Sequence, residues 1–181
     1  MKNLLRQLFR RLSGRDPLAM LIKRGLVVGK NFYMQDGCKI DASHCWHIRI
    51  GDDVTLGANV TLLAHDASTK LALGYVRLGK LHIGNRVFIG AGSIVLPGVT
   101  IGDDVIIGAG SVVSRDIEAG SLAVGNPVHI LGSSSDYIAR RKALMEESPC
   151  FGEEYTLRAN VSAAMKAEMN EKMHSGTGFI V

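Results

Sequence analysis

A six-residue period runs through the middle of this chain. From Ile83 onward every sixth residue is a β-branched aliphatic: Ile83, Ile89, Val95, Ile101, Ile107 and Val113. Gly84, Gly90, Gly102 and Gly108 directly follow four of them. If roughly one residue in four is Ile, Leu or Val, six such hits in register arise by chance about once in several thousand trials. The fifth place of each unit is restricted as well, to Val87, Ser93, Val99, Val105, Ser111 and Ile117. Upstream the phase returns in two shorter runs. Val28, Met34 and Ile40 form one; Ile50, Leu56 and Leu62 form the other. Gly29, Gly51 and Gly57 take the second place there.

A unit of six residues holds one short strand and one turn. Three units close a triangular coil of about eighteen residues, and coils stack through parallel-strand hydrogen bonds. The aliphatic residue points into the triangle, and the small residue after it lets the corner bend. One coil cannot bury its own inner face, so stacking is obligatory. A conventional parallel sheet would need crossover helices, and Ile83 to Ile117 leaves no room for them. The expected fold is therefore an all-β solenoid, a parallel β-helix. Composition agrees: of 181 residues only 6% are aromatic while 21 are glycine, which suits narrow coils and tight turns better than a bulky core.

The flanks read differently. Lys2 to Leu12 sets Leu4, Leu5, Leu8, Phe9 and Leu12 on one helical stripe. Pro127 closes the repeat region. Ser135 or Asp136 is placed to cap a helix running to about Glu147, and a second helix is expected over Arg158 to Met173. The predicted organisation is a helical cap over 1–25, a β-helix over 26–131 and a helical extension over 132–181.

Two interruptions break the period, at Cys45 to Arg49 and at Ala64 to His82. The second is the longer, and a regular coil has no need of such an excursion, so it is the expected seat of function. His65 stands at its base, just after Leu62. An imidazole there is held by a rigid rung, and a neutral imidazole accepts a proton from an alcohol or amine. The repeats, the loop and His65 together resemble the hexapeptide-repeat acyltransferases, in the branch of galactoside, maltose and capsular polysaccharide O-acetyltransferases. The resemblance rests on VGKNFYMQDGCKI, IGDDVTLGANVTLLAHDAS, IGNRVFIGAGSIVLPGVTIGDDVIIGAGSVVSRDI and AVGNPVHIL, between about Val28 and Leu131.

That resemblance implies a left-handed coil, a homotrimer and acetyl-CoA as acyl donor. It implies direct transfer to an acceptor hydroxyl with His65 as general base and no metal. Asp66 becomes an acceptor-binding or loop-ordering candidate. An assisting polar residue on an earlier coil corresponds to Gln35 or Asp36, where relatives commonly carry Asn. The donor groove implied between two chains uses Ala91, Ala109, Ser114 and Arg115, with Arg115 toward phosphate and His129 as a further basic contact. The acceptor implied is a sugar hydroxyl of a surface polysaccharide or its precursor. An N-acetyltransferase of a nucleotide-linked amino sugar and a non-catalytic scaffold are the alternatives, and the intact His65 argues against the scaffold.

Other signals take plainer readings. His44, Cys45 and His47 flank Trp46, but no second ligand pair has zinc spacing. Trp46 is a candidate wall for a sugar acceptor. The net charge of +4 is modest, and the basic residues lack interleaved aromatics, so no nucleic-acid partner is expected. The basic N-terminal stripe suits a coil cap better than an anionic membrane surface. Three cysteines without a CxxC pair, and no leader or membrane-spanning pattern, point to the cytoplasm.

Overall fold

The computed structural model describes residues 17–174 and 176–181. The N-terminal stripe expected over Lys2 to Leu12 lies outside them. The described residues divide into two compact units, one running to Ser135 and the other Asp136–Val181. Helix α1 (Pro17–Lys23) leads into the first unit, with Pro17 at a helix start where a missing N–H costs nothing.

The chain then visits three sheets in rotation. Strands β1 (Val27–Val28), β2 (Tyr33–Met34) and β3 (Lys39–Ile40) make the first circuit. Strands β4 (Ile48–Ile50), β5 (Thr55–Leu56) and β6 (Thr61–Leu62) make the second. The long interruption follows, carrying β7 (His65–Asp66), the single-turn helix α2 (Lys70–Leu73) and β8 (Arg77–Leu78). Strands β9 (Leu81–Ile83), β10 (Phe88–Ile89) and β11 (Ile94–Val95) make the third circuit; β12 (Thr100–Ile101), β13 (Ile106–Ile107) and β14 (Val112–Val113) make the fourth. The sheets order as β1-β4-β9-β12, as β2-β5-β10-β13 extended by β15 (Ser121–Val124) and β16 (His129–Ser133), and as β3-β6-β11-β14. Pairing is parallel throughout these sheets except between β15 and β16, where the chain turns back at the sheet's edge.

Register explains the period. Val28, Ile50, Ile83 and Ile101 lie in line across the first sheet. Met34, Leu56, Ile89 and Ile107 do so in the second, and Ile40, Leu62, Val95 and Val113 in the third. Leu56, Leu62, Ile83, Ile89, Val95, Ile101, Ile107 and Val113 are wholly buried. Burying such a side chain contributes about 1.5–3 kcal/mol each, which stacks into one continuous core.

Corners obey the same repeat. Between the first and second sheets the turn residue is left-handed and not glycine: Asn31, Asp53, Arg86 and Asp104 have φ of 54°, 57°, 55° and 57°. Asn and Asp tolerate that region, and the side chains pair upward, Asn31 Nδ2 donating to Asp53 Oδ1 and Arg86 to Asp104. The glycine in second place has a different cause. A Cβ on Gly90 would lie 2.4 Å from the backbone nitrogen of Ala109 on the next rung, because stacked strands sit only about 4.8 Å apart. The serines in fifth place are fully buried, and both Ser93 Oγ and Ser111 Oγ donate to the Gly108 carbonyl, at 3.0 and 2.6 Å.

Helix α3 (Ser134–Glu146) ends close to the expected Glu147 but starts earlier than expected, so Ser135 and Asp136 lie in its first turn and do not cap it. The expected helix over Arg158 to Met173 is instead two pieces. A 3-10 turn at Leu157–Ala159 ends on left-handed Asn160, and α4 (Ala163–Lys172) begins after Ser162, whose hydroxyl accepts the Met165 N–H. A left-handed asparagine and an N-cap serine make a stop and a start within one apparent stripe. Among the described residues no helix is long and apolar enough to cross a membrane.

Candidate active site

The two interruptions meet around one carboxylate. Pairing of β7 with β8, His65 opposite Leu78 and Asp66 opposite Arg77, makes the neck of the long loop an antiparallel ribbon. The Gly79 N–H closes the neck on the Ala64 carbonyl at 3.0 Å. His65 is thus held by backbone on both sides while its side chain stays 35% exposed. In the other interruption, residues 41–44 lead into a 3-10 turn, Cys45–His47, whose buried Cys45 anchors it in the core.

Asp41 joins them. It follows inward-facing Ile40, and Ile40 is in register with Leu62, so Asp41 lies one rung from the start of the loop. Its side chain is 1% exposed. Five donors converge on it. Oδ1 accepts from Ser43 Oγ at 2.7 Å and from the backbone of Ser43 and His44 at 3.1 and 3.2 Å. Oδ2 accepts from the Ala64 N–H at 3.0 Å and from His65 Nδ1 at 2.5 Å. Burial alone would raise the Asp41 carboxyl, but the hydrogen bonds from Ser43, His65 and the Ala64 backbone outweigh it and hold the group well below the usual carboxylate range. An ionised carboxylate only accepts, so the proton on His65 sits at Nδ1 and the lone pair at Nε2. A buried carboxylate that fixes an imidazole's tautomer and leaves Nε2 open to a proton is an arrangement suited to a general base.

Ligand-type atoms of Asp41, His44 and His65 lie within 4.8 Å of one another. Both Asp41 oxygens, however, are already filled by protein donors, so the carboxylate is committed to the histidine and the backbone and not to a cation.

The other predicted residues distribute as follows. Asp66 Oδ1 accepts the Ser68 N–H at 2.9 Å, and Oδ2 faces Arg77 Nε across the ribbon at 3.8 Å. Hydrogen bonds from Ser68 hold its carboxyl below the ordinary value, and these contacts order the loop. Gln35 and exposed Asp36 sit at the corner after β2. There the Gln35 side-chain oxygen accepts the Ala58 N–H at 3.0 Å and the Asp36 carbonyl accepts from Asn59, so the place beside His65 falls to Asp41. Trp46 is 49% exposed and tilts against His44 and His47 with ring centroids 5.4 and 5.8 Å apart. His44 in turn lies 5.1 Å from the His65 ring.

Ala91 and Ala109 are exposed corner residues on adjacent rungs, linked where the Gly110 N–H meets the Ala91 carbonyl at 2.8 Å. Ser114 and Arg115 are exposed after β14, and Arg115 Nη2 donates to the Val128 carbonyl at 2.9 Å, beside exposed His129. Asp41 and Ser43 are the residues that sequence reasoning misses; it meets His44 as part of a weak zinc pattern and, with Trp46 and His47, as a candidate acceptor wall. The signal is present nonetheless: aligning Ile40 with Leu62 sets Asp41 to Ser43 alongside Leu63 to His65.

Comparison with known proteins places this geometry in a class. Residues 80–115 match the family described as bacterial transferase hexapeptide (six repeats), and residues 47–64 match hexapeptide repeat of succinyl-transferase. Protein CapG of Staphylococcus aureus is 37% identical over 142 residues, covering 76% of this chain and 81% of that protein. The chain belongs to the hexapeptide-repeat acyltransferase family. A solved maltose O-acetyltransferase from Clostridium difficile 630 is 40% identical, with a TM-score of 0.52 over 59% of this chain and 57% of its own. A galactoside acetyltransferase solved in complex with coenzyme A is 28% identical, with a TM-score of 0.54 over 71% and 74%. Against several other curated relatives the match spans about half of their length.

Proposed function

We propose that this chain is an acetyl-CoA-dependent O-acetyltransferase acting on a sugar hydroxyl of a surface polysaccharide or its precursor. The observation that carries the reading is the His65–Asp41 pair, with Nδ1 committed to a buried carboxylate and Nε2 left to take a proton. In the proposed reaction Nε2 removes the proton of the acceptor hydroxyl as its oxygen attacks the thioester carbonyl. The tetrahedral intermediate collapses with cleavage of the carbon–sulfur bond. The imidazolium returns its proton to the departing thiolate, giving ester and free CoA. Asp41 stabilises the imidazolium between those steps without taking its proton.

Donor and acceptor follow from the relatives by analogy. One solved relative holds coenzyme A, and the named substrates of the two are maltose and galactoside. We place the donor along Ala91, Ala109, Ser114, Arg115 and His129, in a groove shared between neighbouring copies of a left-handed, trimeric β-helix. Small corner residues let the pantetheine arm approach the backbone, and Arg115 is the phosphate contact. Asp66 keeps the loop ordered over the site, and Trp46 gives a face on which a sugar ring stacks.

The test is a thiol-release assay with acetyl-CoA against neutral sugars, amino sugars and nucleotide-linked amino sugars. Turnover with neutral saccharides and ester-linked acetyl in the product is the expected result. Amide-linked product from a nucleotide-linked amino sugar alone would replace the O-acetyltransferase reading with an N-acetyltransferase.

A further inference from the structure

The anchor that holds His65 also holds a second imidazole, which the reaction above does not use. His44 Nδ1 lies 3.1 Å from Ser43 Oγ. Ser43 has one hydroxyl proton, and it goes to Asp41 Oδ1 at 2.7 Å, because an ionised carboxylate offers none. The serine oxygen therefore accepts from His44, which fixes the His44 proton on Nδ1 and leaves the lone pair on Nε2. His65 is fixed in the same sense by Asp41 Oδ2. Two imidazoles, 5.1 Å apart and tilted by 48°, thus stand with Nδ1 turned to the linked Asp41–Ser43 pair, one on each residue. Among the described residues neither Nε2 has a hydrogen-bond donor. Half-exposed Trp46 borders the pair on the His44 side.

A site with two acceptor nitrogens and an aromatic edge is matched by a ligand with two neighbouring hydroxyl donors on a ring. We propose that His44 is an acceptor-orienting residue whose Nε2 accepts a hydrogen bond from a second hydroxyl, adjacent to the one His65 deprotonates, so that the site selects a vicinal diol. The inference rests on the saccharide-acceptor reading above. It goes beyond that reading in naming the hydroxyl pattern and the residue that reads it. Ser43 is the positioning residue: it sets the His44 tautomer and does not itself meet the acceptor.

Two-bond proton–nitrogen imidazole NMR on the full chain, at a pH where both rings are neutral, reads the tautomers directly. Both His44 and His65 are expected to carry the proton on Nδ1. Ser43→Ala should return His44 to the ordinary Nε2–H form while His65, still held by Asp41, keeps its own. Methyl β-galactoside and maltose are then titrated in beside their monodeoxy derivatives. The sugar should move Nε2 of both rings, and removal of one hydroxyl should abolish the His44 response alone. His44→Ala should raise KM for the sugar about tenfold or more with KM for acetyl-CoA unchanged, and His44→Gln serves if the alanine variant folds poorly. An Nε2–H tautomer for His44 in the unaltered protein overturns the proposal. So does a set of polyols none of which moves its Nε2, or an unaltered sugar KM in both variants. Failure of acetyl transfer itself is read separately, as no thiol release by the unaltered protein with any sugar.

Discussion

Asp41 and His65 act as one unit, and their chemistry makes unequal demands on the two side chains. In the proposed reaction His65 must change protonation during turnover; Asp41 must not. The Asp41 carboxyl is held well below its usual range by hydrogen bonds from Ser43, His65 and Ala64 that outweigh its burial. Asp41→Asn removes the charge that stabilises the imidazolium and sets an amide N–H against donors already in place. It is expected to lower kcat by about 10²–10⁴ with KM for acetyl-CoA unchanged, measured by thiol release. The same substitution has a pH signature. A carboxyl depressed in the folded state stabilises fully above its unfolded pKa of about 4, and loses that contribution as pH falls toward the folded value. In urea unfolding, the stability gap between the unaltered protein and the variant should narrow as pH falls below about 4. A gap that stays level into strong acid would show that the carboxylate's ionisation does not stabilise the fold.

At the scale of elements, the rungs tolerate little and the loop tolerates more. Gly90→Ala puts a methyl 2.4 Å from the Ala109 nitrogen, where the obstacle is backbone and cannot rotate away. It should cost about 2 kcal/mol or more. Gly74, at the end of α2, has φ of 74° and nothing within 4 Å of an added methyl, so Gly74→Ala carries only conformational strain of about 1 kcal/mol. Thermal unfolding of the two variants should rank them in that order. The rungs are also the part most legible in sequence, since a strict period of six is read out as a strict stack in Ile83, Ile101 and their neighbours. His65 is legible as the residue at the base of a break. The cluster of Asp41, Ser43 and His44 around it is not, because the circuit from Ile40 to Leu62 is lengthened by the Cys45–His47 turn and the register across it must be known before they can be set beside the loop. Local capping likewise overrides the helical stripe at Asn160 and Ser162.

For the whole molecule, the regular coil and its lapses divide the labour. The coil supplies a scaffold with exposed corners at Ala91 and Ala109, and the two lapses bring the His65 ring onto the Asp41 carboxylate and the His44 ring onto Ser43 beside it. Donor binding and chemistry should therefore separate by mutation. Arg115→Ala is expected to raise KM for acetyl-CoA about ten- to a hundredfold, the loss of a charged hydrogen bond, with little change in kcat. Equal KM values in initial-rate measurements would remove Arg115 from the donor site. The central claim is that His65 Nε2 is the base, and thiol release by His65→Ala at saturating acetyl-CoA and sugar tests it most directly. Turnover should fall by roughly two to four orders of magnitude while coenzyme A still binds with unaltered affinity. Turnover near that of the unaltered protein would contradict the account.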